Sequence, residues 1–201
     1  MVRSRGDTTR LSILDHATTV AARDGLDALS IGTLAQDLGL SKSGLFSHFG
    51  SKESLQVAIL DYAAERFVAR IVRPALLASR GLPRLLALFD GWMAWALGPR
   101  ERQGCLFMAA SFELDDKPGV VRDRLVASQR DWLDTLAQAV RIAVAEGHLR
   151  PDTDPILSAQ ELYGIQMAAH HVFRLIGDPE ALPRAGRAFD RWLLSLQTRI
   201  T

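Results

Sequence analysis

Leu34-Ala35-Gln36-Asp37-Leu38-Gly39-Leu40-Ser41-Lys42-Ser43-Gly44-Leu45-Phe46 decides how this chain folds. Apolar residues fall at helical spacing on both sides of Gly39, so two short helices meet across a tight turn. Ala35 is small enough for the helices to touch, and Gly39 supplies the corner. Leu34, Leu38, Leu40 and Leu45 can fill the wedge between these helices and a preceding one. Ser30 reads as the N-cap of a helix over Ile31–Leu38. Ser41 reads as the N-cap of a second, from Lys42 to about Phe49, ended by Gly50-Ser51. This is the pattern of a helix-turn-helix. It turns the second helix outward, with a width that suits the major groove of B-DNA. Ser41, Lys42, Ser43, Ser47 and His48 are short or basic polar groups at that helix's exposed start, where free N–H groups favour phosphate.

Upstream, a first helix is expected over Thr8–Asp24, with Leu11, Leu14, Ala17, Thr18 and Ala21 inward and Gly25 ending it. Downstream, a long helix runs from about Lys52 to Val72, just before Pro74. Further helices are expected at Leu82–Leu97, Cys105–Leu114, Val120–Glu146, Pro155–Ile176 and Pro183–Ile200. The breakers between them are Gly81-Leu82-Pro83, Gly98-Pro99, Lys117-Pro118-Gly119, Gly147, Pro151 and Gly177-Asp178-Pro179. Period-two alternation rich in Val, Ile and Thr is absent, so the fold class is all-α. The expected division is an N-terminal three-helix helix-turn-helix DNA-binding domain, residues 1–52, and a C-terminal helical ligand-binding and dimerisation domain, residues 53–201. The boundary falls at the shared long helix and not in a flexible linker.

The 201 residues are 48% hydrophobic and 23% charged, the balance of an ordinary globular protein. No apolar run approaches the length of about 18 residues that a membrane span needs, and no secretory signal is visible at the start. The single cysteine, Cys105, cannot form an internal disulfide, which agrees with a cytoplasmic setting. Net charge is only +1. In the first sixty residues Arg3, Arg5, Arg10, Arg23, Lys42 and Lys52 are matched by Asp7, Asp15, Asp24, Asp27, Asp37 and Glu53. Any DNA-binding role therefore rests on where the cations sit, because bulk charge gives it no support.

Four runs carry a family resemblance: Ser30-Ile31-Gly32-Thr33-Leu34-Ala35, then Gly39-Leu40-Ser41-Lys42, then Leu45-Phe46-Ser47-His48-Phe49, then Ser51-Lys52-Glu53-Ser54-Leu55. Together they closely resemble the N-terminal domain of TetR-family regulators over roughly residues 8–60. The remainder is similar only as a set of long helices. The resemblance implies a homodimeric transcriptional regulator, most often a repressor, that binds a palindromic double-stranded DNA operator and is released by a small effector. It implies no cofactor. It further implies that Lys42 and Ser43 contact base edges or flanking backbone, that Ser41 and His48 contact phosphates, that Lys52 holds a phosphate, and that Thr33 lies in the same surface. The sequence departs from the family at two places. Phe46 stands where tyrosine is usual and cannot donate to a phosphate, though its ring can pack on a thymine methyl. Gly44 stands where a hydroxyl residue is common, at a mid-helix cost of about 1 kcal/mol against alanine, and leaves room for DNA to approach the backbone.

Pro155–Ile176 is apolar on more than one face, as a helix buried on two sides must be. By resemblance, Leu162, Ile165, Ala169 and Phe173, with Phe189, Trp192 and Leu196 of the last helix, form a four-helix dimer interface; a purely intrachain core is the other reading. Trp92, Trp95, Phe107, Met108, Phe112 and Met167 are either plain core or the lining of a pocket for a small apolar effector. His170 and His171, with Tyr163 and Gln166 about a turn earlier, are its polar candidates, and adjacent histidines cannot both line one cavity. They lack the spacing of a metal site. Cys105, at a helix start, reads as a thiolate or as an inert buried thiol. Arg3, Arg5 and Arg10 read either as an arm for the minor groove or as a solvated tail. Neither a serine elbow nor a glycine-rich phosphate loop is present, so no enzyme is expected. The alternative is a helical enzyme or small-molecule carrier in which the helix-turn-helix is architectural.

Overall fold

The structure is a computed structural model that describes residues 5–97 and 105–197, with Arg5 as backbone only. Among the described residues it is built from helices alone. They are α1 (Arg5–Asp24), α2 (Ile31–Asp37), α3 (Lys42–Phe49), α4 (Lys52–Phe67), α5 (Arg73–Leu77), α6 (Leu82–Leu97), α7 (Leu106–Leu114), α8 (Val120–Ala145), α9 (Pro155–His171) and α10 (Ala181–Leu196). Packing groups them into two compact units. One takes residues up to 66 together with 105–128, and the other takes 67–104 and 129–201.

In the first unit local chemistry sets each boundary. Ser30 Oγ accepts from the Thr33 N–H at 3.2 Å and starts α2. At the corner Gly39 takes a φ of +64°, and the Leu40 N–H reaches back to the Ala35 carbonyl at 2.8 Å, closing the turn. Ser41 Oγ then accepts from the Gly44 N–H at 3.0 Å and starts α3. Leu34 and Leu45 are buried with Ile13, Leu14, Ala17 and Ala21 of α1 and with Leu55, Ile59 and Leu60 of α4. Leu38 and Leu40 are half-buried and only partly fill the wedge assigned to them. α7 also belongs here, packing against α1. Its Glu113 carboxylate accepts from the backbone N–H groups of Leu26 and Asp27 at 2.8 and 2.6 Å, fixing the α1–α2 loop.

The second unit corrects two helix boundaries. The long helix does not stop before Pro74: a π turn, Val68–Val72, follows α4, and α5 carries the helix to Leu77. Proline has no N–H and its ring crowds the carbonyl four residues back, so the widened turn just upstream relieves a conflict that would otherwise end the helix. A second π turn, Val172–Ile176, closes the α9 segment, and Gly177 ends it. α10 starts at Ala181, two residues earlier than expected; the expected end at Ile200 lies outside the described residues, as does Gly98-Pro99. Phe89 of α6 stacks on Phe189 of α10, centroids 4.0 Å apart, and Trp192 Nε1 donates to Glu161 Oε2 of α9 at 3.0 Å. The ring stack lies in the core of this unit, with Leu85, Trp92, Leu136, Val140 and Leu162 buried there too, and the Trp192–Glu161 bond lies at its edge.

Candidate nucleic-acid interface

Thr33, Ser41, Lys42, Ser43, Phe46, Ser47 and Lys52 are all exposed, and Gly44 and His48 are partly so. Their positions are on α3, just before it, and at the starts of α2 and α4. Phe46 is 49% exposed, a hydrocarbon ring held in water at the middle of the face. The side of α3 opposite it is tied down by Leu45 and Phe49, and the Arg10 guanidinium lies 4.6 Å from the Phe49 ring centroid. Arg10 is thus a helical residue of α1 that braces α3, and not part of an arm. Arg5 also lies within α1, while Arg3 is outside the described residues.

The cations of this surface are positioned by the fold. A β-carbon on Gly32 would stand 2.8 Å from Lys42 Cε, so the lysine stem lies along the start of α2 and glycine makes the room. Lys52 Nζ donates to the Asp27 carbonyl at 2.6 Å. The Asp27 carboxylate is held below the usual carboxylate range, chiefly by a hydrogen bond from Lys117 and also by one from Gln56. Gly44 has a reason beside any approach to DNA. A β-carbon there would come within 2.9 Å of Ser41 Oγ and disturb the cap.

The residues read as pocket lining do not all come together. Phe107 and Met108 are buried on α7 in the first unit, whereas Trp92, Trp95, Tyr163, Met167, His170 and His171 belong to the second. Phe112 is a correction: it is 63% exposed on the outer side of α7, because α7 turns its other side toward α1. His171 is exposed as well. What gathers in the second unit is a different set. Phe67 stands edge-on to Trp95 and to Trp132, at 6.0 and 4.9 Å, and Trp132 Nε1 donates to Gln166 Oε1 at 3.1 Å. Tyr163 donates to Gln129 Oε1 at 3.0 Å one turn away. Phe67 and Trp132 escaped the sequence reading because each sits in a helix rich in charged residues.

Burial, reinforced by Arg174 and His171, lowers the His170 pKa from 6.5 to about 4, so its ring is neutral at pH 7. The unfolded chain takes up that proton near pH 6.5. The neutral ring therefore contributes stability that is whole above pH 6.5 and is lost as the pH falls toward 4. A His170→Gln variant is expected to lose less melting temperature than wild type between pH 7 and about pH 4; equal losses would show that His170 does not carry this dependence.

The dimer residues also need correction. Leu162, Ala169, Phe189, Trp192 and Leu196 are buried inside one chain, where α9 packs on α10 and on α6 and Phe189 stacks on Phe89. Ile165 and Phe173 are half-buried. The side of α9 left open carries Leu157, Glu161, Gly164, Ala168, His171 and, beyond it in the π turn, Leu175, which is 74% exposed.

A helix-turn-helix with a capped, exposed second helix, in a chain otherwise built of longer helices, is the pattern of a DNA-binding regulator. Comparison with known proteins agrees. Residues 13–59 match the family model "Bacterial regulatory proteins, tetR family", and residues 81–189 match "Tetracyclin repressor-like, C-terminal domain". The chain belongs to the TetR family. It is 28% identical over 147 residues to the transcriptional repressor KstR2 of Mycolicibacterium smegmatis, covering 72% of this chain and 69% of that protein. A TetR transcriptional regulator from Chloroflexus aurantiacus superposes with a TM-score of 0.87 at 25% identity, over 96% of this chain and 98% of that one. The regulator AibR, solved with isovaleryl coenzyme A and operator DNA, shares the fold at a TM-score of 0.72 and 21% identity, over 94% and 97% of the two chains. Fold, exposed helix and relatives agree on a ligand-responsive DNA-binding repressor. No described helix is long and apolar enough to cross a membrane.

Proposed function

We propose that this protein represses transcription as a homodimer on a palindromic operator and that a small, mostly apolar effector releases it. The observation that carries the DNA half is the exposed α3 face, Ser43, Phe46 and Ser47 outward, with Lys42 and Lys52 at its borders. In this reading Lys52, Ser41, Thr33 and His48 hold phosphates, while Lys42 and Ser43 reach base edges or the adjoining backbone. Phe46 packs on a thymine methyl, a contact that an exposed ring gains by leaving water. A two-fold dimer sets its α3 helices into half-sites about one helical turn, 34–36 Å, apart.

Dimer formation is assigned to the open side of α9. Gly164 costs that helix about 1 kcal/mol against alanine, and a β-carbon on it would meet open space, so packing within the chain gives no reason for it. Close approach of a second copy supplies one. The effector is assigned to the second unit, where Phe67, Trp95, Trp132 and Met167 offer aromatic and soft apolar surface. AibR, of the same fold, holds both an acyl ligand and operator DNA. α4 with α5, and α8, each begin in one compact unit and end in the other. Ligand-driven displacement of one end thereby changes the fit of α3 to its half-site, by no more than the ligand's differential affinity for the two shapes.

A gel-shift with DNA upstream of the protein's own coding region tests the repressor reading; an absence of specific binding would favour the enzyme or carrier alternative. Lys42→Ala and Lys52→Ala are both expected to weaken operator binding. Loss of Lys52 should weaken every sequence alike and flatten the salt dependence by about one unit. Lys42→Ala should also relax base preference. If both variants match wild type across several salt concentrations, the assigned DNA face is wrong.

A further inference from the structure

Gln166 of α9 is fully buried, at 0% exposure, and only half of its amide is satisfied. Its Oε1 accepts from the Trp132 indole N–H. An indole nitrogen donates and cannot accept, so the amide cannot be flipped, and its orientation is fixed. The other end, Nε2, carries two N–H groups and has no partner in the structure. Leaving such a donor unpaired in the interior carries the full desolvation penalty of the group. A leucine or methionine here would remove the unpaired amide donor but strand the Trp132 N–H, so the glutamine serves the indole with one end and leaves the other free. Around it lie the Trp132 ring, Phe67 edge-on to that ring, and Trp95 edge-on to Phe67. The Tyr163–Gln129 bond forms a second polar rung one turn earlier on the same pair of helices. His170, one turn later, is neutral at pH 7 and adds no charge to the neighbourhood.

We propose that Gln166 Nε2 is the polar anchor of the effector site, donating to an uncharged carbonyl oxygen on an otherwise apolar ligand. The inference rests on the effector-binding reading above and gives it a substrate class: ketones, amides, esters or thioesters with an aromatic or aliphatic body. The oxygen is uncharged because burying an isolated carboxylate costs far more than one amide hydrogen bond returns. The apolar body is selected by the aromatic rings. A ligand that lacks the oxygen leaves the donor unpaired and loses the corresponding affinity.

Matched probes test this by calorimetry or Trp fluorescence, on the full protein without DNA. The pairs are 4-phenylbutan-2-one with butylbenzene, and 2-octanone with octane. Because DNA is absent, the outcome is separate from that of the operator gel-shift. In at least one pair the ketone should bind wild type about tenfold or more tightly than the hydrocarbon. Gln166→Met should abolish the preference while leaving hydrocarbon affinity within about twofold. That single change strands the Trp132 N–H, so Trp132→Phe/Gln166→Met, which removes both partners, serves as the variant if the first folds poorly. No preference for the ketone in either pair overturns the proposal, as does a preference that survives in the variants. A wild-type crystal structure in the presence of ketone with only an ordered water on Nε2 overturns it too.

Discussion

Gly164→Arg is expected to leave the subunit folded, to turn the proposed dimer into a monomer and to remove operator binding. The position lies on the open side of α9, where a β-carbon meets nothing within 4 Å of its own chain. Arginine is a better helix former than glycine by nearly 1 kcal/mol, so helical content by circular dichroism should not fall. A second copy packed closely along Gly164 and Ala168 would, however, meet a long charged side chain in place of hydrogen. Sedimentation should then show a species of one-chain mass where wild type runs as two. One subunit engages one half-site, so operator affinity should drop toward the non-specific level, on the order of 10³-fold. A variant that stays dimeric would move the interface elsewhere, and a wild type that is monomeric at micromolar concentration would overturn the dimer itself. Phe173 and Trp192 are poorer test sites: Trp192 is held by Glu161 and buried within its own chain, so a charge there would unfold the subunit before it reported on association.

That contrast marks where sequence patterning stops being informative. The helix-turn-helix is readable because its determinants are local. Ser30 and Ser41 cap helices that begin one residue later, and Gly39 and Gly50 take the left-handed backbone that lets each helix end. On α9 the apolar residues go all the way round, and which side is spent inside the chain depends on α10 and α6. Phe189 of α10 is claimed by Phe89, a hundred residues distant in sequence, and periodicity carries no trace of that pairing. Likewise Gln166 reads as one polar residue among several, and only the Trp132 bond reveals that half of its amide is unmet. The assignment of α7 to the head's compact unit was hidden for the same reason. A helix that follows the α6 segment would ordinarily be grouped with it, but its glutamate finds its partners in a loop more than eighty residues upstream.

Glu113→Ala is expected to be the most damaging single substitution in the first unit outside its apolar core. The carboxylate accepts two backbone N–H groups, from Leu26 and Asp27, in a loop where neither is used by a helix. Hydrogen bonds to a charged group are worth about 1.5–3 kcal/mol each, and alanine leaves both donors without that partner. Partial rehydration recovers some of this, so a net loss of about 2–4 kcal/mol is expected. In a chain of this length that corresponds to a fall in melting temperature of roughly 5–15 °C. The loop leads directly into Ser30 and α2, and Lys52 donates to the Asp27 carbonyl within it. Operator affinity should therefore fall even at temperatures where the variant remains folded, because the loop no longer fixes the lysine assigned to a phosphate. Lys117→Ala is the comparison. Its bond to Asp27 lies at the surface, where such pairs contribute about 0–1 kcal/mol, so its effect should be several-fold smaller. That smaller contribution is present above the unfolded carboxylate pKa, and so at pH 7, and disappears as the pH falls through the lowered Asp27 value. If both variants melt within a degree or two of wild type at pH 7, Glu113 is not what holds the α1–α2 loop in place.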